Sequence, residues 1–121
     1  MRTSTLTPAP IVFFDIAGPD VEALKSFYAD LFGWDLGGSG KLTLPVVSPL
    51  PGAFREDPVE KRIYIGVSDV TKKLDEIKSR GGTIDVPRFV VAGVAVIALF
   101  KDPAGNPMGL VELENGKARV P

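Results

Sequence analysis

The chain has 121 residues, 45% hydrophobic and 24% charged, with 14 Lys and Arg against 15 Asp and Glu and a formal net charge of −1. That is the balance of one ordinary globular domain; with no basic run it argues against a nucleic-acid or anionic-membrane partner, and no apolar stretch approaches the ~18 residues of a membrane span. There is no His and no Cys, so the side chains that hold Zn, Ni and non-haem Fe well are absent, carboxylates suited to Mg, Ca or Mn remain, and Ser-His or Cys-His nucleophile activation is ruled out.

Residues 1–9 are polar and Pro-rich and read as a flexible arm. They lack the apolar segment of a signal peptide, so a cytoplasmic location is expected. Ile11-Val12-Phe13-Phe14-Asp15-Ile16 is β-branched and aromatic, the composition of a strand. Asp20 follows a Gly18-Pro19 turn as a helix N-cap. Val21, Leu24, Phe27, Tyr28, Leu31 and Phe32 recur at helical spacing, and Gly33 stops the helix. Trp34-Asp35-Leu36 begins a second strand and Lys41 to Val47 a third. Residues 48–59 carry three prolines and read as loop, with a short strand around Ala53-Phe54. Lys41, Arg55 and Glu56 flank this segment, which has the length to cover a cleft.

The pattern then restarts. Arg62 to Val67 reads as a strand, Asp69 as an N-cap, and Val70, Leu74 and Ile77 as a helical stripe ended by Gly81-Gly82. Thr83 to Val91 and Val94 to Phe100 are strands, Asp102 to Pro107 a turn, and Met108 to Glu112 a last strand before a tail at 114–121. Ile16 matches Ile65, Asp20 matches Asp69, Val21 matches Val70 and Gly33 matches Gly82, one offset of 49 throughout. A repeat on strand end, N-cap, stripe and C-cap implies two copies of one supersecondary unit.

The segment DVEALKSFYADLFGW (20–34) resembles the helix-to-strand signature of the vicinal oxygen chelate superfamily, which includes glyoxalase I, extradiol dioxygenases and bleomycin-resistance proteins. YIGVSDVTKKLDEIKSRGG (64–82) is similar to the start of its second module, and FKDPAGNPMGLVE (100–112) to its closing turn and strand. The resemblance covers residues 10–113. It implies an α+β fold of two βαβββ modules, 10–56 and 60–113, whose curved mixed sheet encloses a cleft. It also implies metal-ligand positions on four strands. The first His of the pattern falls on Phe13, the second on Arg62 and the last Glu on Gly109, while the remaining position has no secure match. Side chains at these three positions cannot bind a metal, which speaks against glyoxalase or dioxygenase chemistry and for a site with no metal and no cofactor.

Strand alternation then assigns the faces. With Phe13 in the cleft, Ile11 and Asp15 join it and Val12, Phe14 and Ile16 turn away. Glu60, Arg62 and Tyr64 face the cleft from the second module, and Gly109 and Val111 from the last strand. Asp15 and Arg62 either pair with each other as a plug or leave Arg62 free as a fork for a ligand carboxylate or phosphate. Phe13 fills the vacated site. Trp34 is either core at the module junction or a stacking surface for a ligand. The resemblance implies a metal-independent small-molecule binder, similar to the drug-sequestering members of the family and paired as a homodimer. The alternatives are a lyase or isomerase with Asp15 or Glu60 as general base, and a degenerate scaffold whose role is dimerisation.

Overall fold

The computed structural model describes residues 8–34, 41–42 and 50–121 of the chain. Strand β1 (Ile11–Gly18) leads into α1 (Val21–Phe32), then β2 (Lys41–Leu42) and β3 (Gly52–Glu56). The second unit runs β4 (Glu60–Val67), α2 (Val70–Ser79), β5 (Thr83–Val91), β6 (Ala95–Lys101) and β7 (Pro107–Glu114), followed by a short β8 (Lys117–Ala118). The strands form one mixed sheet in the order β2-β3-β1-β4-β7-β6-β5, with β8 on β7. The two units meet where β1 and β4 pair antiparallel, and each first strand takes its own unit's last strand as a parallel neighbour.

Both helices begin as the sequence predicts. The Asp20 carboxylate accepts from the Ala23 N–H at 3.1 Å and Asp69 from the Lys72 N–H at 2.9 Å, each satisfying a donor that the first helical turn leaves open. Gly33 closes α1 at φ 69°, a conformation only glycine adopts without strain. The helices cover the same face of the sheet but not equally. Val70 and Leu74 of α2 are buried with Val67, Ala98, Phe100 and Leu110 in the main core, whereas α1 has no fully buried residue. Beneath α1 lies an aromatic cluster in which Trp34 stacks on Tyr28 at 5.0 Å and Phe54 closes on both rings.

Two differences from the sequence reading have physical causes, a bulge in β1 and a turn near the C-terminus. Trp34 stands outside any strand, and the expected strands over 35–36 and 43–47 lie outside the described residues. A β-bulge between Ile11 and Phe13 breaks the alternation of β1, so Ile11 is 56% exposed while Val12 lines the cleft. The segment after Glu112 continues as strand, because Asn115 (φ 54°) and Gly116 (φ 76°) make a two-residue turn of the kind that closes tight hairpins.

A cleft divided into a charged belt and an apolar pocket

The sheet face opposite the helices carries two kinds of surface. One half is a belt of charge that follows strand order. From β3, the Arg55 guanidinium lies 3.1 Å from the Asp15 carboxylate on β1 and also pairs with Asp57 and with Glu60 of β4. Glu60 is 3.0 Å from Arg62. Arg62 then reaches across β7 and β6, donating to the carbonyls of Met108 and Phe100, and stops 3.9 Å from Asp85 on β5. Lys101 closes the chain on Asp85 at 3.1 Å. Asp15 and Arg62 are each only 5% exposed, so these charges are tolerable because they are paired. Burial pushes the Glu60 carboxyl up, but the hydrogen bonds from Arg55 and the charge of Arg62 outweigh it and hold Glu60 below its ordinary value.

The other half is apolar. A cavity of about 400 Å³ is walled by Val12 and Phe13 of β1, Ile97 of β6, Val111 and Leu113 of β7, the β5–β6 hairpin at Val91, Val94 and Ala95, and Gly116 and Ala118 around β8. Its size and lining are those of a small-molecule site. Tyr64 stands at the seam. Its ring meets Phe13 edge-on, with centroids 5.5 Å apart. It lies across Gly109, where an added Cβ would come 2.3 Å from the ring. Its hydroxyl crosses into the belt, donating to Asp15 at 2.7 Å. Burial and that hydrogen bond push the phenol above its usual value, so it stays protonated.

The expected site residues therefore separate. Phe13 and Tyr64 wall the pocket, Asp15, Glu60 and Arg62 form the belt, and Gly109 is the bed on which Tyr64 lies. Trp34 is on the helix face with Tyr28 and Phe54 and does not touch the cavity. Asp15 and Arg62 sit opposite each other in register, yet Asp15 is taken by Arg55 and Tyr64, and Arg62 by Glu60 and two carbonyls. Neither alternative weighed for Arg62 holds: it does not pair with Asp15, and both its terminal nitrogens are engaged within the protein. Arg55, read as part of a covering loop, is on β3 and is the belt's most connected side chain. A β3 register would have revealed it, since Ala53 and Arg55 alternate onto the cleft face.

Register also places the ligand position that the sequence left open. Asp15 pairs with Ala53 across β1–β3, as Tyr64 pairs with Gly109 across β4–β7. Asp15 and Tyr64 are equivalent in the repeat, so Ala53 is the counterpart of Gly109. The four positions are then Phe13, Ala53, Arg62 and Gly109: three side chains with no donor atom and one cation. These residues do not fit a bound metal ion. Among the described residues, no three His, Cys, Asp or Glu side chains gather into a group that could hold one.

No family model matches the chain. A Mycobacterium bovis protein named glyoxylase CFP32 is 30% identical over 111 residues, spanning 79% of this chain and 42% of its own length. The anthracycline biosynthesis protein DnrV of Streptomyces peucetius is 25% identical over 123 residues, spanning 81% of this chain and 45% of its own. The methylmalonyl-CoA epimerase of Streptomyces coelicolor, 16% identical, superposes with a TM-score of 0.62 over 93% of this chain and 100% of that one. A glyoxalase/bleomycin resistance protein/dioxygenase superfamily member from Vibrio splendidus, 14% identical, superposes with a TM-score of 0.59 over 88% of this chain and 100% of its own. The chain has the fold of the vicinal oxygen chelate superfamily. It spans less than half the length of the curated relatives it matches. Among the described residues, no helix is long and apolar enough to cross a membrane.

Proposed function

We propose that this vicinal oxygen chelate protein binds an uncharged, largely aromatic small molecule without a metal, and holds it rather than transforming it. The observation that carries this reading is the cavity of about 400 Å³ in whose wall, among the described residues, no side chain is charged. Among the described lining residues the one polar side chain is Tyr64, whose hydroxyl donates to Asp15 at the edge of the cavity. The relative DnrV is named for anthracycline biosynthesis, and anthracyclines are flat polycyclic aromatics, a shape and polarity such a wall suits. The reading as a carboxylate-driven lyase or isomerase has less support. Asp15 and Glu60 are both tied to arginines, and a Glu60 held below its ordinary value is shifted the wrong way for a general base at neutral pH. A cytoplasmic protein paired with a second copy remains part of the proposal; sedimentation as a monomer would overturn the pairing.

The test uses N-phenyl-1-naphthylamine, an uncharged dye that fluoresces in apolar surroundings. Saturable one-to-one binding is expected, unchanged by prior dialysis against a chelator. Ala95→Phe puts a ring into the cavity and should weaken binding at least tenfold with the melting temperature kept or raised. Binding that disappears on chelation and returns with a divalent metal, or that ignores Ala95→Phe, sinks the reading.

A further inference from the structure

The ligand's own hydrogen-bonding character is written into the seam between the two halves of the cleft. This inference rests on the pocket reading above and deepens it. Among the described residues that line the cavity, Tyr64 alone has a polar side-chain atom. A phenol offers one proton and accepts at its oxygen, and here the proton is committed to Asp15 at 2.7 Å.

That commitment is hard to undo. Asp15 is 5% exposed, and its second carboxylate oxygen is buried with no hydrogen-bond partner among the described residues. Its remaining support is Tyr64 together with Arg55, whose Nε is close in distance but makes no well-aligned hydrogen bond. A ligand carbonyl that captured the Tyr64 proton would strip a further bond from a buried carboxylate, and leaving a charged group short of partners costs more than a neutral hydrogen bond returns. A ligand hydroxyl faces no such penalty. It donates to the phenol oxygen and leaves the bond to Asp15 in place, where each bond of the chain polarises the next.

We propose that the pocket selects aromatic ligands that carry a hydroxyl, held by donation of the hydroxyl proton to the Tyr64 oxygen. Aromatic ethers and ketones of the same shape are discriminated against, the ether because it has no proton to give and the ketone because it needs one.

The experiment is competition of three matched probes, 2-naphthol, 2-methoxynaphthalene and 2-acetylnaphthalene, against bound N-phenyl-1-naphthylamine. 2-Naphthol is expected to bind about fivefold more tightly than either of the others, the size of one net hydrogen bond. Tyr64→Phe keeps the ring on Gly109 and Phe13 while removing the oxygen. All three probes should then bind within about twofold of one another, with the two non-donors little changed. If the three bind the wild-type protein equally, or 2-acetylnaphthalene binds best, the inference is wrong although the pocket stands. If 2-naphthol keeps its advantage in Tyr64→Phe, the donor partner is some other group and the assignment to Tyr64 falls. If none of the probes displaces the dye and the dye itself does not bind, it is the pocket reading that fails, and this inference with it.

Discussion

The charged and apolar halves of the cleft are built from equivalent positions. The repeat that relates β1 to β4 carries Phe13 onto Arg62 and Tyr64 onto Asp15, and the matching registers carry Val111 onto Arg55. Arg55, Asp15 and Arg62 of the belt thus each have an apolar or aromatic counterpart across the pseudo-twofold between the units. One fold, used twice, has specialised in opposite directions: one side holds buried charges paired largely with one another, while the other is walled by apolar side chains and stays open. Buried charge that must pair cannot also wait for a ligand. An apolar wall has nothing to satisfy and can stand empty.

Substitutions in the two halves should therefore have different consequences, and the comparison can be broken there. The largest effect is expected in the belt. Arg62→Ala removes a buried guanidinium from Glu60 and from the carbonyls of Met108 and Phe100, and should cost about 3 kcal/mol or more in chemical denaturation, with dye affinity in the surviving folded protein changed less than twofold. An affinity that collapses while stability holds would show that Arg62 belongs to the ligand site. At the seam, Gly109→Ala drives a methyl group into the Tyr64 ring and should cost about 1–3 kcal/mol. It should also weaken the dye, because the ring it displaces is part of the wall; a neutral result would remove Tyr64 from its bed on β7.

The smallest effect concerns the anchor behind the apolar half. Glu112, 7% exposed, accepts a two-pronged bond from Arg88 and another from Arg119 of the tail. The hydrogen bond from Arg88 and then that from Arg119 hold its carboxyl below the ordinary value against the pull of burial. A folded-state value below the unfolded one of about 4.3 contributes stability that is fully present above that value and is lost as pH falls through the folded one. Glu112→Gln should lower stability by about 1 kcal/mol at pH 7, and the gap to the wild-type protein should narrow in melts run below about pH 4. A gap that is constant down to strongly acidic pH would mean that the carboxylate charge contributes nothing.

Local chemistry made much of this legible in advance. Asp20, Asp69 and Gly33 were readable because a cap needs one residue type at one place. The repeat put Phe13 and Arg62 at equivalent positions, and alternation put Tyr64, Glu60 and Asp15 on the cleft face. What was missed depends on pairing between strands. The bulge that exchanges Ile11 for Val12 has no signature in IVFFDI. Arg55 looked like loop because three prolines surround β3, and its face follows only from its register on β1. Trp34 was ambiguous since a ring beside a cleft and a ring under a helix have the same local sequence. Partner choice within the belt was likewise hidden: residues opposite in register, such as Asp15 and Arg62, do not have to bond when a longer side chain arrives from the next strand.

Gly109 carries a consequence for how such a protein can change over generations. A carboxylate side chain placed at that position would evict the Tyr64 ring, and the eviction would take from Asp15 the hydrogen bond that Tyr64 donates. Any side chain larger than hydrogen at Gly109 must therefore displace the Tyr64 ring, so one bare position on β7 fixes both the wall of the pocket and a bond to the buried Asp15.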